Sequence, residues 1–159
     1  MTKILSFIFT GLLLFMPLSA QAQDQYNPSK TLEDLMFLAL DHGIDSIREG
    51  GPLIPFLISE QGGKRQLQRF VAEPYEKAVA ETKKAALNLP HQTTMYAFAY
   101  DGFVTLKGKK YDAIIVQGAE RDKGMAYLLA QRYTPAKNGN FLKTIGNPAF
   151  LGREDALFK

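Results

Sequence analysis

The chain has 159 residues, with 19 Lys and Arg against 16 Asp and Glu and no cysteine. So small a positive balance gives no footing for nucleic-acid binding, and the missing cysteine excludes disulfides, thiol nucleophiles and thiolate metal ligands. Hydrophobic residues make up 46% of the sequence, the composition of a folded chain and not of a disordered one.

The N-terminus has the three parts of a secretory signal. Lys3 supplies the positive charge, Ile4 to Leu18 is almost unbroken apolar sequence, and Ala20-Gln21-Ala22 offers small residues at both ends of a cleavage triplet. A signal peptide over 1–22 is expected, cut between Ala22 and Gln23. The apolar run of about 15 residues is short for a span that needs roughly 20. The mature chain, 23–159, is therefore expected to be a single domain with no transmembrane span, placed in the periplasm or secreted. The lack of cysteine favours a bacterial envelope, since small secreted eukaryotic domains lean on disulfides.

Residues 23–30 are polar and predict a flexible lead. A helix follows from Thr31. Thr31 and Asp34 have capping-box spacing, and Leu32, Leu35, Met36, Ala39 and Leu40 share one helical face. Gly43 is a candidate end, with a further turn before Gly50-Gly51. In "GGPLIPFLISEQGGKR", residues 53–59 predict a strand, and Pro55 assigns it to a sheet edge or a bulge. Gly62-Gly63 supplies the positive-φ pair of a hairpin loop. Arg65 to Ala72 is expected to return as a second strand. A phosphate-cradling loop would instead lead into a helix, with Ser or Thr after the lysine.

Glu73 to Pro90 is the clearest helix, with Pro74 near its start and Ala-rich sequence along one face. From Thr93 the hydrophobic period falls to two. Strands are expected at 93–100, extending through Asp101-Gly102 to Leu106, then at 110–118 and 125–133, joined by short turns and hence antiparallel. Residues 135–159 carry apolar residues among Gly, Pro and Asn, and predict an irregular segment packed on the body. The expected class is α+β: about five largely antiparallel strands in the order helix-strand-strand-helix-strand-strand-strand, with both helices on one face.

Candidate chemistry is sparse. His42 and His91 are the two histidines, too few for a protein zinc site without cysteine, so no metal and no cofactor are expected. Asp41, Asp45 and Glu49 fall on one helical stripe with Arg48 among them, as a solvated face does. Neither Ser46 nor Ser59 sits in a nucleophile elbow. The turn at 118–124 projects Glu120, Arg121 and Asp122, and turn tips commonly carry function. The expected role is non-catalytic binding of an envelope protein or a small ligand, through a surface that includes Arg48, Glu60, Lys64, Arg121 and Arg132. The alternative is a small periplasmic hydrolase using a histidine with acidic neighbours. Bases outnumber acids twelve to six from Lys83 onward, which raises a third possibility, contact with an anionic envelope surface.

Overall fold

A computed structural model describes residues 27–158. The expected signal segment lies outside the described residues. Helix α1 spans Lys30–Ser46, and strands β1 (Phe56–Gln61) and β2 (Lys64–Arg69) form a hairpin. Helix α2 (Tyr75–Leu87) leads to β3 (Thr93–Leu106), β4 (Lys109–Glu120), a short 3-10 turn at Arg121–Lys123, β5 (Met125–Thr134) and β6 (Lys143–Asp155). All neighbouring strands are antiparallel, in the order β2-β1-β3-β4-β5-β6. The α+β class is as expected, with six strands in place of five. No described helix is long and apolar enough to cross a membrane.

The extra strand is β6, drawn from the segment expected to be irregular. Gly146 and Gly152 at positive φ and two register shifts against β5 interrupt its alternation. An edge strand tolerates these irregularities and Pro148, because its outer side has no ladder to complete. Of the lead expected over 23–30, the last residues are held in place. Ser29 caps α1 by accepting a hydrogen bond from the Leu32 amide, and the Asn27 carbonyl accepts one from Tyr127 Oη at 2.9 Å. The cap is thus Ser29 and not Thr31. Gly43 lies inside the helix, where a Cβ would come within 3.1 Å of Ile114 Cγ2. Its smallness lets the helix approach β4.

The helices lie on opposite faces of the sheet, not on one. Leu32, Leu35, Met36 and Leu40 of α1 pack with Phe56, Ile58, Met95, Ala97, Ala99, Ile114 and Val116. Ala85 and Ala86 of α2 pack in a second cluster with Leu57, Tyr96, Phe98 and Tyr100. Alternate residues of β1 and β3 thus enter different cores, as the two-residue period of a strand requires. β1 is also no edge. It begins after Pro55 and pairs with both β2 and β3, with a register shift at Glu60/Gln61. The hairpin loops are as expected: Gly62-Gly63 and Lys107-Gly108 hold both central residues at positive φ, the requirement of a two-residue type I′ turn.

Gly118 marks the tightest seat for α1. A Cβ there would stand 2.5 Å from Met36 Cγ and 3.2 Å from Leu32 Cδ1. Gly118→Val is expected to lower stability by about 1–3 kcal/mol through overpacking, seen as a lower urea midpoint at unchanged slope. An unchanged midpoint would show that α1 is not seated there.

Candidate functional site

A groove arises because α2 covers β3 and part of β1 but leaves β2 open on the same face. Its floor is two paired ranks, Leu57, Ser59 and Gln61 on β1 opposite Gln68, Gln66 and Lys64 on β2. Its wall is the C-terminal part of α2 and the turn beyond, with Ala85, Asn88, Leu89 and Pro90, and Thr93 closes one end. The groove holds about 500 Å³. Alternation in β1 and β2 puts these side chains on one face, while Glu60, Ile58 and Phe56 point to the α1 side. The lining chemistry is specific. Four amide side chains, Gln61, Gln66, Gln68 and Asn88, sit among aliphatic carbons, and Lys64 is the lone ionisable residue of the lining. Such a surface can donate and accept hydrogen bonds along an extended ligand. It holds no pair of groups for general acid–base chemistry.

The five residues expected to form one surface do not come together. Lys64 lines the groove. Glu60 lies on the opposite face, where it accepts a 2.9 Å hydrogen bond from Arg65 Nε across the hairpin. Arg121 turns inward from its loop: Nε donates to the Thr93 carbonyl and Nη2 to the Pro90 carbonyl, both at 2.7 Å, and the guanidinium lies 4.3 Å from the Phe158 ring centroid. It ties the α2–β3 turn to the C-terminus. Arg48 pairs with Asp45 beyond α1. Arg132 sits near the opposite end of the sheet, 5.2 Å from the Tyr111 ring centroid.

The histidines are apart as well. His91 is exposed in the turn before β3. His42 packs edge-on against Phe56 and places Nε2 2.8 Å from Arg69 Nη2. Burial and the Arg69 charge hold its pKa below the usual value, against the opposing pull of Asp45. A histidine serving as general base would be oriented by a carboxylate, and here the ring's close partner is a cation. Among the described residues, no group of three or more His, Asp and Glu could hold a metal ion.

One polar cluster left no mark in the sequence. β1 stops pairing at Ala99, which frees the Asp101 amide on that side of β3, and it donates to Tyr75 Oη of α2 at 2.7 Å. The Asp101 carboxylate accepts from Tyr133 Oη of β5, also at 2.7 Å. Burial pushes the Asp101 pKa up, and the Tyr133 hydrogen bond partly offsets this. Burial also pushes the Tyr75 phenol to about 12 and raises Tyr133, which the Asp101 carboxylate raises further. The three groups tie α2, β3 and β5 together at the point where the sheet narrows.

No family model, curated protein or solved structure matches the chain.

Asp101 makes a clear pH statement. A carboxyl with a raised folded pKa contributes stability that is complete below its unfolded value near 3.8 and is lost as pH rises through the folded value. Tyr133→Phe removes the donor that favours the charged form. The Asp101 carboxyl carbon resonance should then titrate at higher pH than in the wild type. A titration that stays in place or moves down would show that the 2.7 Å contact does not hold in solution.

Proposed function

We propose that this protein is an exported, non-catalytic binding module that holds an extended segment of an envelope protein in the groove between α2 and the β1–β2 hairpin. One observation carries the proposal: the groove is lined by amides and aliphatic carbons and runs along β2, a sheet-edge strand. Main-chain carbonyls and amides of an extended segment would meet Gln61, Gln66, Gln68 and Asn88, and its apolar side chains would meet Leu57 and Leu89. Lys64 at one end would take a carboxylate or a carbonyl of the ligand. β2 itself presents an unpaired backbone edge parallel to the groove, the arrangement used when a peptide adds to a sheet. Its short length and its Lys64, Arg65 and Arg69 guard that edge against indiscriminate pairing.

Binding is favoured over hydrolysis because the groove has no histidine and no carboxylate, and His42 lies on the other face of the sheet beside Arg69. Export rests on the N-terminal pattern alone, and mass analysis of the protein recovered from cells should find a chain beginning at Gln23.

A photo-crosslinking residue at Gln66 or Gln68, in the full chain expressed in its own cells, tests the site. Both positions should give an adduct with one and the same protein, and a probe at exposed Glu76 on the outer side of α2 should not. Equal labelling from all three positions, or none from the groove, would overturn the proposal.

A further inference from the structure

The two ends of the sheet differ. At the end away from the groove, the β3–β4 hairpin outruns its neighbours: β1 stops opposite Ala99, and β5 reaches only Asp112. The projecting tip from Phe103 to Tyr111, "FVTLKGKKY", holds three lysines and no acid. Phe103 is 58% exposed and Leu106 46% exposed. They stand on opposite faces of the ribbon, so neither can shield the other. The Lys110 ammonium lies 3.6 Å from the centre of the Phe103 ring, and Lys109 lies 5.0 Å from the Tyr111 ring.

The register brings further groups to this end. Lys143 pairs with Thr134 just beyond the last β4–β5 partners, and Phe141, 60% exposed, and Lys137 lie in the adjoining β5–β6 connection. Arg132 contributes from β5. Acids at this end include Asp101, which is hydrogen-bonded to Tyr133, Asp45, which is paired with Arg48, Asp112, which pairs with Phe103 across the hairpin, Glu49, and Glu76 near Tyr75 at the start of α2. None of them falls within Phe103 to Tyr111 itself.

We infer that this end of the sheet docks on an anionic lipid bilayer, with Phe103 and Leu106 entering the headgroup region and Lys107, Lys109 and Lys110 lying among the lipid phosphates. Two observations separate a bilayer from a soluble polyanion. The exposed apolar side chains lie along a convex projection, Leu106 beside its apex and Phe103 at its base, level with the last β4–β5 pair. The cations ring that apex on flexible stems, which can keep their charges at the interface while the ribbon tip enters it. A basic tip with an exposed aromatic and an exposed aliphatic side chain on its ribbon has the composition of an interfacial anchor. The tip lies at the opposite end from the groove, so docking would leave the groove open to the aqueous side.

The test is co-sedimentation of the protein, purified in the form the cell accumulates, with phosphatidylglycerol–phosphatidylcholine vesicles and with phosphatidylcholine vesicles alone. Binding is expected only to the anionic vesicles, weakening with added salt. Replacing Lys107, Lys109 and Lys110 together by Gln should weaken it about a hundredfold, from the energy that each surface cation gains at an anionic leaflet. Phe103→Ser with Leu106→Ser should retain low-salt binding and lose most of what survives at moderate salt. These positions are exposed, so thermal unfolding of both variants should match the wild type and confirm that they fold. Equal binding to both vesicle types, or unchanged binding by the lysine variant, would overturn the inference. Retention on immobilised polyglutamate without sedimentation on anionic vesicles would also overturn it, in favour of an acidic macromolecule.

Discussion

Everything in this fold depends on the two unlike faces of β3. One face presents Met95, Ala97 and Ala99; the other presents Tyr96, Phe98 and Tyr100. Each face is matched by a helix of opposite character. α1 brings Leu32, Leu35, Met36 and Leu40 onto the small face, where Gly118 of the neighbouring strand deepens the seat. α2 brings Ala78, Thr82 and Ala86 as its buried residues, toward the side that holds the large rings. Large packs on small twice, in opposite directions, which fills both layers without overpacking either. A one-residue slip of β3 would bring the large rings against the large residues of α1 and leave the Ala-rich helix over alanines.

Much of this was legible in sequence. Both helices, the two glycine-bearing hairpin turns and the strands from Thr93 to Thr134 follow from period and turn chemistry, which are local. The placement of the helices was not. The alternation of β3 shows two unlike faces, but apolar character on both is equally consistent with a core beneath and a solvated surface above. Only the size match with each helix decides it. β6 escaped for a different reason. Gly146, Pro148 and Gly152 erase the period that marks a strand, and an edge position removes the penalty they would carry in the interior. Pro55 misled in the other direction, because the strand begins one residue after it.

The candidate site was legible only in part. Lys64 and the hairpin that carries it could be found from the glycine pair, but the amides of β1, β2 and α2 meet only through pairing register and the angle of the helix. Arg121 shows why a charged turn residue is weak evidence for a surface role. The carbonyls of Pro90 and Thr93, distant in sequence, converge beside it and satisfy its donors. Its charge serves an end like that of a helix cap, adding donors to carbonyls at the turn between α2 and β3. Arg132 likewise spends its planar face on Tyr111, as guanidinium groups do on aromatic rings.

The insertion of β1 between β2 and β3 bears on the order in which the chain can fold. From β3 onward, each strand pairs with the next, so that part closes through short loops and low entropic cost. The β1–β2 hairpin is made earlier in synthesis, yet its partner β3 follows only after all of α2. Until β3 arrives, the apolar residues Phe56, Leu57 and Ile58 have one neighbouring strand and no sheet to cover them. The "KRQLQR" of β2 supplies that interval with charge and amides on the exposed side, which opposes pairing between two unfinished chains. Residues that line a groove in the finished protein thus also act as gatekeepers against aggregation while it is being made.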